Sequence, residues 1–308
     1  MMRALLVVNP KATATTARVR DVLAHALASE TVLEVVETKR SDHATELAKA
    51  AVADGMDLVV ALGGDGTVNE VVNGLLADGP RPGLPALAVV PGGSTNVFAR
   101  ALGLPRSPVE ATGELLEALR DDRRRTIGLG RANDRWFTFA AGLGLDAEVV
   151  RRVDQRRTAG RRATPQLFVG EAVKHFFHGT DRSEPRLRLR TDDGQVDVQL
   201  ALALVCNTQP WTYVGRRPVL PCPQASFDDG LDLFGMHTLG TVTTLRYLRQ
   251  ILSKEPRLSG RRLLTLHDVD GFTLEAQTPL AFQVDGDDLG NQTRVHFRAV
   301  RAALDVVV

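Results

Sequence analysis

A glycine-rich stretch, G-G-D-G-T at residues 63–67, is the part of this sequence best suited to chemistry. An apolar run from Leu58 to Leu62 precedes it, and apolar residues recur at helical spacing after Thr67. The pattern predicts a buried strand, a glycine turn and a helix. The first N–H groups of such a helix point outward and can bind phosphate oxygens. Glycine removes the Cβ atoms that would hold a phosphate away or forbid left-handed dihedral angles.

The elements around this stretch predict a parallel sheet. Apolar runs at 4–8, 31–38, 58–62 and 86–90 read as strands, and each is followed by a helical pattern. Asp42 is a plausible N-cap for the second helix, and Gly55 and Gly79 end the second and third. Four strands alternating with helices predict an α/β domain with helices on both faces of the sheet.

Ligands of such sheets lie at the carboxyl ends of the strands. Four polar or glycine-rich stretches occupy these ends: Asn9-Pro10, Thr38, Gly63 to Asn69, and Gly93 to Asn96. One ligand could touch all four stretches, so their convergence predicts a nucleotide site.

The second half of the chain has β patterns. Residues 125–141 read as two strands around Asn133-Asp134, and 186–205 as an alternating hairpin around Asp193-Gly194. Later strands are predicted at 231–236, 263–266, 272–276 and 281–284, with one helix at 241–253 that carries Leu245, Leu248 and Leu252 on one face. We expect an α/β domain of residues 1–126, joined by a returning C-terminal segment 297–308, and a β-sandwich domain of residues 127–296.

Composition narrows the function classes. The chain has 308 residues, 44% hydrophobic, with a formal net charge of +1, which argues against a general nucleic-acid binder. Cys206 and Cys222 fit no metal spacing and are expected to be buried thiols in a reducing cytosol. The N-terminus is not expected to be a signal peptide, and no run of 18 apolar residues exists, so any membrane contact is expected to be peripheral.

The glycine stretch, read as G-G-D-G-T-V-N-E-V-V-N-G, resembles the nucleotide-binding motif of the diacylglycerol kinase catalytic family, which shares a superfamily with the NAD kinases. The N-P pair, the Thr after the second strand and P-G-G-S-T-N-V-F-A-R at 91–100 also resemble that family. The resemblance implies ATP as the phosphoryl donor. It implies nucleotide-site residues Asn9, Pro10, Thr38, Gly63, Gly64, Asp65, Gly66, Thr67, Val68, Asn69, Gly93, Ser94 and Asn96.

Phosphoryl transfer also needs Mg²⁺ and an acceptor for the hydroxyl proton. The stretch S-F-D-D-G-L at 226–231 resembles the family's D-G-L element, which implies Asp229 as the Mg²⁺ ligand, helped by the backbone carbonyls of Ser226 and Leu231. Taken alone, Asp-Asp-Gly before a strand is more often a plain turn.

The stretch Q-V-D-G-D-D-L at 283–289 stands where the family carries D-G-E and draws its proton acceptor, so Asp285 and Asp287 are the catalytic candidates. Asp287 replaces a Glu, which leaves open which of the two takes the proton. The same residues also fit a type I′ hairpin turn. Asp65, the third catalytic candidate, either orients the nucleotide or its Mg²⁺, or caps the helix that follows it.

Two departures from the family pattern keep other functions open. Gly128 stands where many members carry an Asp, and Asp287 is one methylene short. They favour, as one alternative, a catalytically weak nucleotide-binding regulator. An NAD kinase is the other alternative, although the late G-S-T-A-Y element of that family is absent from this sequence.

Arginine-rich stretches at 123–125, 151–162 and 216–217 are either solvated faces or contacts with anionic headgroups. The apolar stretch 167–177 would supply an apolar side to such a contact, and His175 with His178 makes a weak zinc pattern. The resulting prediction is a cytoplasmic lipid kinase, with a homodimer as one of its states. It docks transiently on the inner membrane face, binds no nucleic acid and phosphorylates a diacylglycerol-like alcohol. This chemistry requires the glycine loop and both acidic stretches to meet at one cleft.

Overall fold

The computed structural model describes residues 1–145, 147–148, 150–151, 186–253 and 255–308. The chain divides into two compact units, residues 1–127 with 302–308, and residues 128–301. Most of the Arg151 to Arg162 cluster, the stretch from Leu167 to Phe177 and the pair His175 and His178 lie outside the described residues.

The first unit is built on a parallel sheet. Its strands follow the order β2-β1-β3-β4. They are β1 (Met2–Val8), β2 (Thr31–Glu37), β3 (Leu58–Gly63) and β4 (Ala86–Pro91). Its helices are α1 (Ala17–Ala28), α2 (His43–Ala53), α3 (Asp65–Leu75), α4 (Val97–Ala101) and α5 (Pro108–Arg120). Every residue of β3 and β4 is buried, as their continuous apolar runs predict.

One helix boundary and one whole helix differ from the sequence expectation. Helix α3 begins at Asp65, directly after Gly64, rather than past Thr67. An acidic residue in the first turn suits the positive end of the helix dipole, so Asp65 belongs to the helix. Helix α5 was not anticipated, although Ser107 caps it by accepting the Glu110 N–H and Pro108 opens it.

The second unit is dominated by antiparallel strands. They are β5 (Arg124–Ala132), β6 (Arg135–Phe137), β7 (Ala140–Leu143), β8 (Leu187–Thr191), β9 (Asp197–Leu200), β10 (Leu202–Cys206), β11 (Thr212–Val214), β12 (Arg217–Val219), β13 (Leu231–Met236), β14 (Leu263–Val269), β15 (Gly271–Val284) and β16 (Asp287–Val307). The first residues of β5 and the last of β16 belong to the first unit, where Val306 pairs with Leu87 in parallel. Helix α6 spans Thr241–Ile251.

The predicted fold class, an α/β domain followed by a β-rich domain, is confirmed. Some of the strands predicted in the second half of the chain are shorter than the strands in the structure. The predicted strands 272–276 and 281–284 are one strand, β15, whose pairing with β16 shifts register between them. Strand β16 was missed because its alternation of polar and apolar residues is interrupted along its length.

Aromatic packing fixes the core of the second unit. The rings of Phe272 and Phe297 stack with centroids 5.3 Å apart, and Phe137 meets Phe297 edge-on at 6.3 Å. A second cluster holds Cys206, Cys222, Phe234 and the inward residues of α6. Among the described residues, no helix is long and apolar enough to cross a membrane.

Both cysteines are buried free thiols, as expected. Burial raises the pKa of the Cys222 thiol well above its usual value, and the adjacent Cys206 thiol adds to the effect. We therefore expect the native Cys222 thiol not to react with iodoacetamide, because the thiolate is the reactive form. Burial is expected to shield Cys206 from the reagent, and both thiols are expected to react in denaturant. Mass spectrometry of alkylated peptides measures this. Rapid labelling of native Cys222 would contradict the packing described here.

Candidate functional site

The loops that follow the parallel strands are joined at the carboxyl edge of the first unit's sheet. The Asn9 N–H donates to the Leu62 carbonyl at 2.9 Å, and the Thr38 N–H donates to the Val8 carbonyl at 2.8 Å. The Gly92 N–H donates to the Gly63 carbonyl at 2.7 Å. The structure therefore brings together all four stretches that the sequence placed at strand ends.

Two glycine turns at this edge touch through their backbones. A Cβ at Gly93 would lie 2.7 Å from the Gly64 Cα, and a Cβ at Gly92 would lie 3.1 Å from the Gly63 N and Cα. None of these four glycines has a positive φ. Of the two reasons that the sequence offered for Gly63 and Gly64, left-handed dihedral angles therefore do not apply, and close approach of a phosphate stays a prediction. A side chain at Gly92 or Gly93 would press against the backbone of the other turn, whereas a Cβ at Gly63 would lie 2.6 Å from the Thr67 Oγ1 of its own loop.

Polar side chains at the edge hold one another. The Asn9 Nδ2 donates to the Thr67 Oγ1 at 2.9 Å, and the Asn9 Oδ1 accepts the Lys11 N–H at 3.0 Å. Asn96 has a φ of 49° and bonds to both the N–H and the carbonyl of Gly93. The result is a fixed polar rim, on which Ser94 is exposed and Thr38 is half-buried.

The Asp65 side chain bonds to a second helix. Its Oδ1 accepts the Phe98 N–H at 3.0 Å, so it bonds to the first turn of α4. Helix α3 has Gly64 at its N-cap position, with no side-chain cap bond. Asp65 thus ties the first glycine loop to the helix after the second one, a link that the sequence analysis did not anticipate.

Three predicted nucleotide-site side chains, those of Thr67, Val68 and Asn69, are buried inside the first unit. Val68 is 2% exposed and Asn69 is 1% exposed, and the Asn69 Oδ1 accepts from the Asn73 Nδ2 at 3.0 Å. Their side chains therefore belong to the core of the unit. The neighbouring Glu70 caps α2 by accepting the Ala44 N–H at 3.1 Å, while Asp42 makes no side-chain cap bond.

Thr15 is an edge residue that the sequence analysis passed over. Its Oγ1 is buried without a hydrogen-bond partner among the described residues. It would lie 2.5 Å from a Cβ at Gly92, and the Ala14 N–H donates to the Gly92 carbonyl at 2.7 Å. The threonine-rich composition of the loop after β1 was its only sequence indication.

In the second unit, the acidic stretch 226–231 forms a tight turn before β13. The Ser226 carbonyl accepts the Asp229 N–H at 3.3 Å, and the Ser226 Oγ accepts the Asp228 N–H at 3.1 Å. The Gly230 N–H donates to the Asp268 Oδ1 at 2.6 Å. The backbone of this stretch therefore forms a turn, as one of the two sequence interpretations predicts.

The carboxylate of Asp229 is suited to act as a ligand of Mg²⁺, which keeps several waters. The Asp229 side chain, which is half-buried, has no hydrogen-bond or ion-pair partner within the described parts of the chain. No group of three His, Cys, Asp or Glu side chains in those parts could hold a metal. A single carboxylate with nearby carbonyls suits Mg²⁺, which keeps several waters, and does not suit structural zinc.

A group of charged and polar side chains lies next to this turn and comprises Asp232, His267, Asp268 and Arg301. The Gly230 N–H and Arg301, whose Nη2 lies 2.7 Å from the Asp268 Oδ1, lower the pKa of Asp268. Burial raises the pKa of Asp232, although it accepts from the Asp268 N–H and lies 2.8 Å from the His267 Nδ1. Nothing in the sequence pattern singled out Asp268 or Arg301, because they come together only through the pairing of distant strands.

Gly128 has a structural reason to lack a side chain. Its N–H donates to the Phe227 carbonyl at 2.7 Å, and a Cβ there would lie 2.8 Å from that carbonyl. The backbone next to Asp229 thus fills the space that an Asp side chain at position 128 would need.

Asp285 is an anchor for the β6–β7 connection. Only 4% of it is exposed, and its carboxylate accepts the N–H groups of Thr138, Phe139 and Ala140 and the Thr138 hydroxyl, at 2.7 to 3.1 Å. Asp285 and Gly286 have φ values of 50° and 86° between paired Val284 and Asp287. Both have the positive φ that a type I′ hairpin turn requires, in agreement with the turn reading, and the neighbouring Asp287 is half-buried at the start of β16.

Comparison with known proteins identifies similar chains. The sequence model of the diacylglycerol kinase catalytic domain matches residues 3–132. A diacylglycerol kinase of Staphylococcus haemolyticus is 39% identical over 87% of this chain and 76% of its own length. A Chromohalobacter salexigens protein named "Probable lipid kinase YegS-like" is 32% identical over 83% of this chain and 77% of its own. The Bacillus subtilis diacylglycerol kinase is 43% identical over 34% of this chain and 33% of its own.

Solved structures are similar in fold. A diacylglycerol kinase from Bacillus anthracis superposes with a TM-score of 0.72 at 20% identity, covering 99% of this chain and 96% of that one. An NAD kinase from Archaeoglobus fulgidus in complex with ATP gives a TM-score of 0.52 at 15% identity, covering 100% and 94%.

The contact between the glycine turns can be tested by Gly93→Ala. We expect this substitution to lower the free energy of unfolding by about 1–3 kcal/mol, because the added methyl overlaps the Gly64 backbone. The matched control is Gly113→Ala in α5, which meets no atom within 4 Å and is expected to stabilise by about 0.5–1 kcal/mol. Urea unfolding measures both, and equal effects would contradict the packing argument.

The anchoring role of Asp285 predicts a large stability effect for Asp285→Asn. The amide replaces one acceptor oxygen with a donor that faces N–H groups, so we expect a loss of about 2–5 kcal/mol in unfolding free energy. Asp134→Asn is the control, since the Asp134 side chain is fully exposed and its change is expected to stay within about 0.5 kcal/mol. Indistinguishable unfolding midpoints for the two variants would refute the anchor.

Proposed function

Because the chain belongs to the diacylglycerol kinase catalytic family, we propose that it is a lipid kinase that transfers the γ-phosphoryl group of ATP to the hydroxyl of diacylglycerol or a similar lipid alcohol. The observation that carries the proposal is the joined carboxyl edge of the parallel sheet, where four strand-end loops meet, two of them glycine turns. Ligands of parallel sheets bind at that edge.

The edge offers what a nucleotide phosphate needs. The N-terminal turn of α3, at Gly64, Asp65 and Gly66, carries main-chain N–H groups beyond the reach of intrahelical acceptors. The dipole of an eleven-residue helix favours negative charge there. Asn9, Thr38 and Ser94 add neutral polar groups on the rim. A triphosphate is the ligand that this combination of short backbone turns and neutral donors suits best.

We assign the Mg²⁺ of the reaction to Asp229, with the carbonyls of Ser226 and Leu231 as further oxygen ligands. When bound, Mg²⁺ neutralises charge on the transferring phosphoryl group. The support is the Asp229 carboxylate, which has no partner in the described parts of its unit, on a turn that Asp268 holds through the Gly230 N–H. The packing of Gly128 against Phe227 gives that turn a rigid base in place of an acidic side chain.

Of Asp285 and Asp287, the two candidate acids in residues 283–289, the geometry favours Asp287 as the acceptor of the hydroxyl proton. Asp285 already accepts four hydrogen bonds and is buried, so it would have to lose a bond to take a proton. Asp287 is more exposed, two residues along the same turn. In this proposal Asp285 is a positioning residue, and Asp65 positions the loop through its bond to the Phe98 N–H.

We also propose that the enzyme works in the cytoplasm and contacts the inner membrane face only transiently. A diacylglycerol-like substrate resides in a bilayer, so the kinase has to reach it at the surface. The segments 123–125 and 216–217 are rich in arginine. Each basic residue near an anionic membrane surface contributes about 1 kcal/mol of attraction to it.

The test of the function is a phosphorylation screen with labelled ATP against diacylglycerol, sphingoid bases, prenyl alcohols and NAD, with and without Mg²⁺. We expect Mg²⁺-dependent label on a lipid alcohol. Asp229→Ala and Asp287→Asn are each expected to lower kcat by about 100-fold or more while the protein stays folded.

Other results would point elsewhere. Label on NAD alone would make the chain an NAD kinase, and ATP binding without turnover on any acceptor would make it a regulator. Full activity of Asp287→Asn together with an inactive, folded Asp285 variant would move the proton acceptor to Asp285.

A further inference from the structure

Helix α6 of the second unit turns apolar side chains toward solvent. Val242 is 83% exposed, Leu245 is 53% and Leu248 is 41%. The helix packs on its unit through Tyr247 and Ile251 instead, with the Tyr247 ring edge-on to Phe234 at 6.4 Å. The apolar residues that gave α6 its periodicity in the sequence are therefore mostly on its outer side.

Arginines of the same helix and of the segment after it line a groove. Arg246, Arg249 and Arg257 line an open groove of about 480 Å³, together with Gln250, Ser253 and Glu255. In the described parts of the chain, none of these three guanidinium groups forms an ion pair. Elsewhere in the same unit, Arg151 and Arg188 each pair with an aspartate.

The outer face of α6 mixes the two kinds of side chain. At 3.6 residues per turn, Val242, Leu245, Arg246 and Arg249 fall within an arc of about 100°, opposite Tyr247 and Ile251. Helix α6 contains no acidic residue. Exposed aliphatic side chains interleaved with arginines are typical of helices that lie in a membrane interface, where the arginine stems cover apolar surface and the heads reach phosphates.

The charge of the α6 region indicates which kind of partner it can bind. Residues 241–262 carry six basic side chains and one acidic one, although the whole chain has a net charge of only +1. A second copy of the same face would bring like charges together. Nucleic acid would satisfy the arginines and leave Val242 and Leu245 against phosphates. An anionic lipid surface offers phosphates to the arginines and an apolar environment to the aliphatic side chains.

We propose that the α6 surface, made of Val242, Leu245, Arg246, Leu248, Arg249 and Arg257, docks the protein on anionic phospholipid headgroups. The groove between the arginines takes headgroup phosphate, and the aliphatic side chains enter the boundary with the acyl chains. The proposal rests on the proposed function for its purpose, since docking brings a lipid kinase to its substrate. Docking itself needs neither ATP nor diacylglycerol.

The test is sedimentation of the full chain with vesicles of phosphatidylcholine alone or mixed with phosphatidylglycerol, without ATP or diacylglycerol. We expect binding to the mixed vesicles that weakens as salt rises. The double substitution Leu245→Ser with Arg249→Gln is expected to lower the partition coefficient at least tenfold. The control, Val109→Ser with Arg18→Gln, changes an exposed valine and an exposed arginine of the first unit and is expected to have little effect.

Equal loss in both double variants, or none in either, would overturn the proposal. Sedimentation velocity and DNA retention separate the other partners: a dimer that the α6 substitutions dissociate, or DNA binding that they abolish without any vesicle binding, would also overturn it. Turnover of detergent-dispersed diacylglycerol is expected to be the same in the α6 variant. A loss of docking with normal turnover therefore separates this inference from the proposed function.

Discussion

The arrangement of the candidate site depends on the contact of two glycine turns, backbone against backbone. With a Cβ at Gly93 only 2.7 Å from the Gly64 Cα, neither loop tolerates a side chain at the contact. The hydrogen bond from Gly92 to Gly63 then fixes the separation of the two loops. Because β3 and β4 are neighbours in the sheet, this contact sets the shape of the carboxyl edge, and Asn9, Thr67 and Asn96 are arranged around it.

The acidic loops of the second unit follow a different physical rule. Their backbones are held by carboxylates that accept main-chain N–H groups, as Asp285 does for Thr138 to Ala140 and Asp268 does for Gly230. A buried carboxylate such as that of Asp285 is costly unless its oxygens are hydrogen-bonded, so Asp285 orders the chain around it. Asp268 is exposed and orders its turn through the bond from the Gly230 N–H. Asp229 lies on a turn that is ordered in this way, and its carboxylate has no hydrogen-bond or ion-pair partner within the described residues.

Helix α6 shows why apolar periodicity alone does not assign burial. Leu245 and Leu248 recur at helical spacing, yet the second unit uses Tyr247 and Ile251 to hold the helix. The large aromatic ring of Tyr247 fills the space next to Phe234, and the smaller aliphatic side chains remain outside. The outer side of α6 thus carries exposed aliphatic side chains and arginines that form no ion pair within the described parts of the chain.

Patterns within single segments determined the alternation of strands and helices, the glycine turns, the β-rich second half and the family. Continuous apolar runs mark buried strands, and glycine and proline mark their ends, so local sequence is sufficient for these features. Tertiary structure alone decided what individual residues do. Asp65 bonds to a residue 33 positions away, and Asp285 to one 147 positions away. The glycine contact and the inward side of α6 likewise depend on which distant segments become neighbours. Contacts of this kind are created by strand pairing and core packing, and no local pattern encodes them.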